Sequence, residues 1–412
     1  MLRTTGRALR GCLALALALL GGSAQRARGC TALGLGGHRA AGVAQSASQT
    51  APPAPNPQEL FEQARKAQES GDNALAVRKY LQLVGLHPEV VAAHANLAAA
   101  LVALGRYDDA ILQYHIALVE APGDPALRLN LGLTYYKKGD FAGAAAQFAS
   151  LNREQPGDIR VATLLSDCEL QLGLVGQALA LLEPLEKAHA DNLALEWALG
   201  TALIRAGQTK EGLERVQKVA DLGHNADAYQ LAADLYLGLT YFGKARRDAE
   251  AVIRLNPKMP KAYVVLGMID DYAGDEKGAV EEYEKALQLD PKDLQAKLQL
   301  ANALFTERKL DEAERQANGV LALAPNSVGA LYVLAQIERV QGNLSAALEN
   351  LQTVERQDPK WLEPHVALVT IYYRLNRPAD GARERDIVDQ LRAQERRRRD
   401  QTHVISPQVH PQ

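Results

Sequence analysis

The sequence predicts an all-α solenoid, a stack of helix pairs, and three observations carry that expectation. Prolines fall at 88, 122, 156, 257, 291, 325 and 359, a spacing of 34 residues broken by one gap of 101. Small residues occupy the same two columns when the chain is cut at that period. Hydrophobic residues make up 47% of the chain but aromatics only 5%, with Ala and Leu dominant, which suits closely packed helices better than sheets.

The long gap corresponds to two full periods and one shortened by a residue. Frames starting at 57, 91, 125, 159, 193, 226, 260, 294, 328 and 362 therefore cut the chain into ten units. A fixed period of this length marks a repeat architecture, in which each unit is one supersecondary element. The eighth residue of the units reads Ala64, Ala98, Gly132, Ser166, Gly200, Ala233, Gly267, Ala301, Ala335 and Val369, small in all but the last. The twentieth reads Ala76, Ala110, Ala144, Ala178, Gly212, Ala245, Ala279, Ala313, Ala347 and Gly381.

Two antiparallel helices approach closely only where their facing side chains are small, and larger neighbours then fill the space above and below. In the stretch NLGLTYYKKGDFAGAAAQF, Gly132 and Ala144 mark such a seam, with Leu131, Tyr135 and Phe148 as fillers. Gly139 supplies the backbone freedom that ends the first helix. The proline near the end of a unit stops the second.

This pattern resembles the tetratricopeptide repeat family over residues 57–395, and within it the exported bacterial proteins made almost entirely of such units. The resemblance implies a right-handed α-solenoid, or superhelix, of about ten 34-residue helix-turn-helix repeats with a C-terminal capping helix. Unit 5 is a residue short near Asp221–His224, and units 4, 5 and 10 lack the terminal proline, so an irregular pitch is expected near 190–226. In unit 10 Arg385 replaces a packing residue, and RAQERRRRD follows; a solenoid end needs such a solvated face. Residues 396–412 read as a basic, then polar, disordered tail. The run Arg396–Arg399, flanked by Glu395 and Asp400, reads as a solubilising cap rather than a patch for anionic lipid or nucleic acid.

The first acidic residue is Glu59. Before it, MLRTTGRALR supplies three arginines, GCLALALALL an apolar run and GGSA small residues, which is the order of a secretory signal with cleavage after Ala24. A mitochondrial presequence would be amphipathic, and residues 11–20 are apolar all round. The run is short for a bilayer anchor, and Cys30, preceded by Ala27-Arg28-Gly29, does not match a lipoprotein site. Export to a periplasmic or extracellular location is therefore the expectation, with mitochondrial import or a signal anchor at a membrane as alternatives. Residues 25–56, rich in Ala, Gly, Ser, Gln and Pro, read as a flexible linker.

A net charge of −3 gives no general attraction to nucleic acid, and three cysteines are too few for a disulfide framework. GLTYFGKA (238–245) comes within a residue of a phosphate-binding loop, but Ala245 stands where Ser or Thr should bind magnesium. It also aligns with inter-helix turns such as LGRYDDA and KGDFAGA. Nine scattered histidines form no metal-binding spacing; His94 reads as a packing or rim residue and Cys168 as an inert buried thiol. The sequence thus offers no catalytic residue, metal site or cofactor, and predicts a protein that is not an enzyme.

In the family that the chain resembles, the first helix of each unit lines a concave groove, with positions five, nine and twelve facing it. Those positions supply the candidate binding residues Phe61, Arg65, Leu129, Leu133, Tyr136, Asp167, Trp197, Thr201, Asp234, Met268, Asp271, Asn302, Phe305, Tyr332 and Arg339. Aromatic and aliphatic residues in a groove suit an extended peptide or a partner helix. The three aspartates would favour a basic ligand, and several positions could instead be hidden against the next unit. Members that clamp a C-terminal carboxylate use Lys, Arg and Asn in consecutive units; here Arg65 and Asn96 stand isolated. The asparagine ladder of glycosyltransferase-associated repeats is reduced to Asn96 and Asn130. The function expected is an exported scaffold that binds a protein or peptide in assembling a multiprotein complex, peripheral to a membrane or envelope and without nucleic acid. The alternatives are an accessory in envelope polysaccharide binding or export, with Trp197 stacking on sugar, and an enzyme with an unrecognised site.

Overall fold

The structure, a computed structural model, describes residues 56–404 of the 412, with side chains to residue 397. The signal-like segment 1–24, the linker up to residue 55 and the end of the tail lie outside the described residues. Within them every regular element is an α-helix, and no strand occurs.

The helices alternate as first and second members of ten pairs. Pair 1 is α1 (Pro57–Glu69) with α2 (Asn73–Leu86), pair 2 α3 (Val91–Ala103) with α4 (Tyr107–Glu120), and pair 3 α5 (Pro125–Lys138) with α6 (Phe141–Glu154). Pair 4 is α7 (Ile159–Gln171) with α8 (Val175–Glu186), and pair 5 α9 (Leu193–Arg205) with α10 (Thr209–Gly223). Pair 6 is α11 (Ala226–Gly238) with α12 (Phe242–Leu255), pair 7 α13 (Pro260–Ala273) with α14 (Glu276–Leu289), and pair 8 α15 (Leu294–Thr306) with α16 (Leu310–Leu323). Pair 9 is α17 (Val328–Gln341) with α18 (Leu344–Gln357), and pair 10 α19 (Leu362–Arg374) with α20 (Pro378–Val404). The chain divides into two compact bodies between Gly223 and His224, beside the shortened repeat; the first holds pairs 1–5 and the second pairs 6–10. No described helix is long and apolar enough to cross a membrane.

Local chemistry sets the ends. Asp72, Asp124, Asp140, Asp158, Asn192, Asn225, Asp275, Asp293 and Ser327 accept hydrogen bonds from backbone N–H groups in the first turn of the helix each precedes. Each such cap satisfies a donor that the helix itself cannot. Between the two helices of every pair, position fifteen turns left-handed. It is glycine in seven turns (Gly71, 105, 139, 173, 207, 274 and 342), but Thr240, Arg308 and Asn376 hold the same conformation at φ +62°, +65° and +57°. Those three carry a Cβ where the backbone disfavours one.

The small columns form the seam. All ten residues at position twenty are buried, as are the nine small ones at position eight; Val369, the exception, is only half-buried. What faces each glycine varies. A Cβ on Gly132 would lie 2.5 Å from Phe148 Cε1 and one on Gly267 2.6 Å from Tyr283 Cε1, so there glycine makes room for a ring. In pair 5 the backbones themselves meet: a Cβ on Gly212 would sit 2.6 Å from the Gly200 carbonyl oxygen. In the first body the core continues from one pair to the next, as where Tyr80, Leu97, Leu101, Tyr114 and Leu131 share one cluster. The closing helix α20 runs to Val404, past residue 395 where the sequence put its end, so the basic run Arg396–Arg399 is helical rather than part of a disordered tail.

Candidate functional site

Positions five, nine and twelve lie on one side of each first helix. In the first body this face opens with Phe61, half-buried and packed edge-on against Tyr80 at 5.8 Å between ring centres. Arg65 is exposed and held by Glu62 at 2.7 Å and Glu69 at 2.6 Å, so its charge is already engaged. Leu129, Leu133 and Tyr136 of α5 are half-buried and pack on the Phe148 cluster. Tyr136 donates its hydroxyl to Asp167 on α7 and meets Phe141 edge-on at 5.3 Å.

Two of the residues read as groove contacts are inside. Trp197 is 8% and Thr201 4% exposed, because α9 is buried along Ala194–Leu203. Thr201 donates to the Ala198 carbonyl at 3.0 Å. Trp197 lines a small pocket between α7 and α9 with Thr163, Ser166, Asp167, Leu170 and Thr201; its indole N–H has no partner among the described residues. A ring enclosed in this way offers no face for a sugar to stack on, and the stacking platform read from the sequence is corrected to a packing residue.

The second body keeps more of the face open. On α11, half-buried Asp234 accepts from Gln230 Nε2 at 3.0 Å, and burial pushes its pKa up to about 6. On α13, Met268 is half-buried, and exposed Asp271 accepts from the Tyr283 hydroxyl at 2.5 Å, its pKa also raised by desolvation. On α15, Asn302 is exposed beside half-buried Leu298 and Phe305. Tyr332 packs against Trp361 at 4.7 Å between ring centres, and Arg339 donates to Gln336 Oε1 at 2.8 and 3.0 Å. Val366 and Tyr373 of α19 are 39% and 41% exposed. Asp167, Asp234 and Asp271 each accept a hydrogen bond from within the chain, and two of them hold their proton more tightly than an ordinary aspartate. Each of the three carboxylates is thus already engaged by a neighbour within the chain.

The remaining motifs take their structural readings. GLTYFGKA spans the end of α11, the left-handed Thr240 turn and the start of α12, with no strand before it, so it cannot cradle a phosphate. Cys168 is fully buried and desolvation pushes its thiol pKa upward, the opposite of a reactive cysteine. His94 is a buried packing residue bonded to Gln113 and to the Pro88 carbonyl.

Sequence reasoning missed a second histidine in that environment. His365, 1% exposed, has Nδ1 2.8 Å from Glu384 Oε2, and Glu355 lies close by. The available signal was an internal one: His94 and His365 both occupy position four, and both partners occupy position twenty-three, 19 residues on.

Comparison with known proteins adds the family context. Two family models, each described as a tetratricopeptide repeat, match residues 61–192 and 230–293 in overlapping segments, and 272–337; together these cover more than half of the chain. Human tetratricopeptide repeat protein 34 is 31% identical over 205 residues, covering 48% of this chain and 33% of that protein. A DnaJ homolog subfamily C member 7 homolog of Schizosaccharomyces pombe is 24% identical over 291 residues, covering 68% of this chain and 52% of that one. The Vi polysaccharide export protein VexE of Salmonella typhi is 32% identical over 154 residues, covering 35% of this chain and 24% of that one. The chain thus spans a third to about half the length of the first two.

Proposed function

Because the chain belongs to the tetratricopeptide repeat family, we propose that it is an exported scaffold that holds a protein or peptide on its first-helix face while a multiprotein complex assembles. Family members are characteristically non-catalytic scaffolds and adaptors, and protein–protein interaction is the activity that membership supports. The observation carrying the finer reading is the partly open face of α15 to α19. There exposed Asn302, Val366 and Tyr373 stand beside half-buried Leu298, Phe305 and Tyr332. Apolar anchors rimmed by polar groups suit a peptide or a partner helix.

The test places a photoreactive amino acid at Asn302 in the full chain in its native cells, and separately at exposed Glu281 on the second-helix side. Cross-links to one protein from position 302 and not from 281, reduced by Phe305→Ala, are expected. Equal cross-linking from both positions would move the interaction off this face. Export rests on the signal-like order of residues 1–24, and it requires the chain recovered from fractionated cells to begin at Gln25. A chain that keeps Met1 and stays in the cytosol refutes export without touching the binding reading.

A second reading, an accessory in polysaccharide binding or export, has the likeness to VexE in its favour. It has lost Trp197 as its sugar-stacking residue, because that ring is enclosed.

A further inference from the structure

Position four of the repeat has a constant task in four pairs. Its side chain reaches back to the carbonyl of the proline that closes the preceding unit. Arg128 donates Nη2–H to the Pro122 oxygen at 2.8 Å, and Tyr263 donates its hydroxyl to the Pro257 oxygen at 3.2 Å. His94 Nε2 lies 3.0 Å from the Pro88 oxygen and His365 Nε2 3.1 Å from the Pro359 oxygen. An arginine and a tyrosine can only donate in that contact, and a carbonyl can only accept. Both histidines therefore carry their proton on Nε2 and turn Nδ1 to the other side.

What Nδ1 meets differs between the two. His94 Nδ1 lies 2.7 Å from Gln113 Oε1, and turning that amide over puts its NH2 group against the lone pair, so neutral partners complete the contact. His365 faces the Glu384 carboxylate at 2.8 Å, with His365 1% and Glu384 7% exposed. A lone pair against a carboxylate is two acceptors in contact, and it needs a cation between them. The surroundings deepen that need. Where pair 2 has Val84 in the preceding unit, pair 10 has half-buried Glu355, a second carboxylate. One ligand atom each from Glu355, His365 and Glu384 lies within 4.8 Å of the others.

We propose that Glu355, His365 and Glu384 form a zinc site that ties α18, α19 and α20 together at the end of the second body. Imidazole nitrogen and two carboxylate oxygens are a donor set that zinc accepts, leaving a fourth position for water. A metal-ligating histidine usually donates its other N–H to a carbonyl or carboxylate, which fixes the tautomer; the Pro359 carbonyl does this for His365. Zinc–ligand bonds of about 2.0–2.2 Å set neighbouring tetrahedral ligands roughly 3.4 Å apart. The His365–Glu384 contact therefore opens by roughly half an ångström, and Glu355, only half-buried, swings inward. Without metal a proton takes the place between Nδ1 and the carboxylate.

The test is calorimetric titration of the full chain, purified without a histidine tag and stripped with chelator, with zinc chloride. It is run beside Glu384→Gln and Glu355→Gln and followed by thermal melts. Wild type is expected to bind one zinc per chain and to melt higher with the metal. Both variants should bind it more than about tenfold more weakly and lose the shift. Glu384→Gln installs the residue that pair 2 already accommodates, and Glu355→Gln changes a half-buried group, so one variant remains informative if the other unfolds. Zinc binding of equal strength in wild type and both variants would assign it to surface imidazoles and overturn the proposal. No binding in zinc excess would overturn it too, leaving the pair bridged by a proton alone.

Discussion

Helices α9 and α15 occupy the same place in the repeat, yet one is sealed and the other open. Along α9 every residue from Ala194 to Leu203 is buried; along α15 buried residues alternate with exposed Asn302 and half-buried Leu298 and Phe305. The difference comes from what each helix meets. Gly200 and Gly212 bring α10 onto the α9 backbone, and α7 closes another side through Thr163, Asp167 and Leu170. Pair 8 has Ala301 and Ala313 at the matching columns, both fully buried. The repeat register tells which side of a helix a residue lies on. The closeness of neighbouring helices decides whether a partner can reach it.

The largest break in that comparison is expected from Trp197→Ala, which should cost about 3–5 kcal/mol as a buried aromatic. Phe305→Ala should cost less and act mainly on partner binding. Melting curves of the two variants check this, and similar midpoints would mean that α9 is less enclosed than it looks. Next comes Gly212→Ala. The added Cβ meets a carbonyl oxygen and Ile204 N rather than a movable side chain, so a loss of about 3 kcal/mol is expected by denaturant titration. Gly267→Ala, where a ring can tilt, should lose about 1 kcal/mol, partly offset by the better helix propensity of alanine.

Asp234 stands between the extremes, at the position nine that Thr201 fills in the sealed helix and Asn302 in the open one. Its folded pKa of about 6 exceeds the ordinary 3.8, so the unfolded chain releases this proton first. Its stabilising effect is thus present below about pH 4 and lost as pH rises through 6. Asp234→Asn should flatten that slope and gain about 2 kcal/mol above pH 6, with none at pH 3.5. Unfolding titrations at the two pH values check the sign. The smallest effect is in the turns: pair 5 uses Gly207 and pair 8 the left-handed Arg308, so Arg308→Gly should stabilise by about 0.5–1 kcal/mol.

The fold was legible because its rule is local. Position eight and position twenty must be small wherever two helices touch, and the residue types at 64, 98, 132 and their successors say so without a structure. The candidate site was legible only in part. Positions five, nine and twelve fall on one side as the resemblance implied, but whether Trp197 or Asn302 is reachable depends on the adjoining helix, which no single repeat encodes. The His365 cluster stayed hidden because its members come from α18, α19 and α20. Only a comparison of pair 2 with pair 10 singles them out.

Cys168 gives this enclosure a clock. It is the one cysteine among the described residues, sits at 0% exposure beside Leu164 and Leu165 on α7, and keeps its proton tightly. A thiol reagent can therefore react there only during moments when α7 parts from its neighbours. The alkylation rate of Cys168, compared with that of an unfolded chain, counts those openings directly in a stretch bordering the α7–α9 pocket. A partner that presses on the first-helix face of the first body would slow the count before it changed any melting temperature.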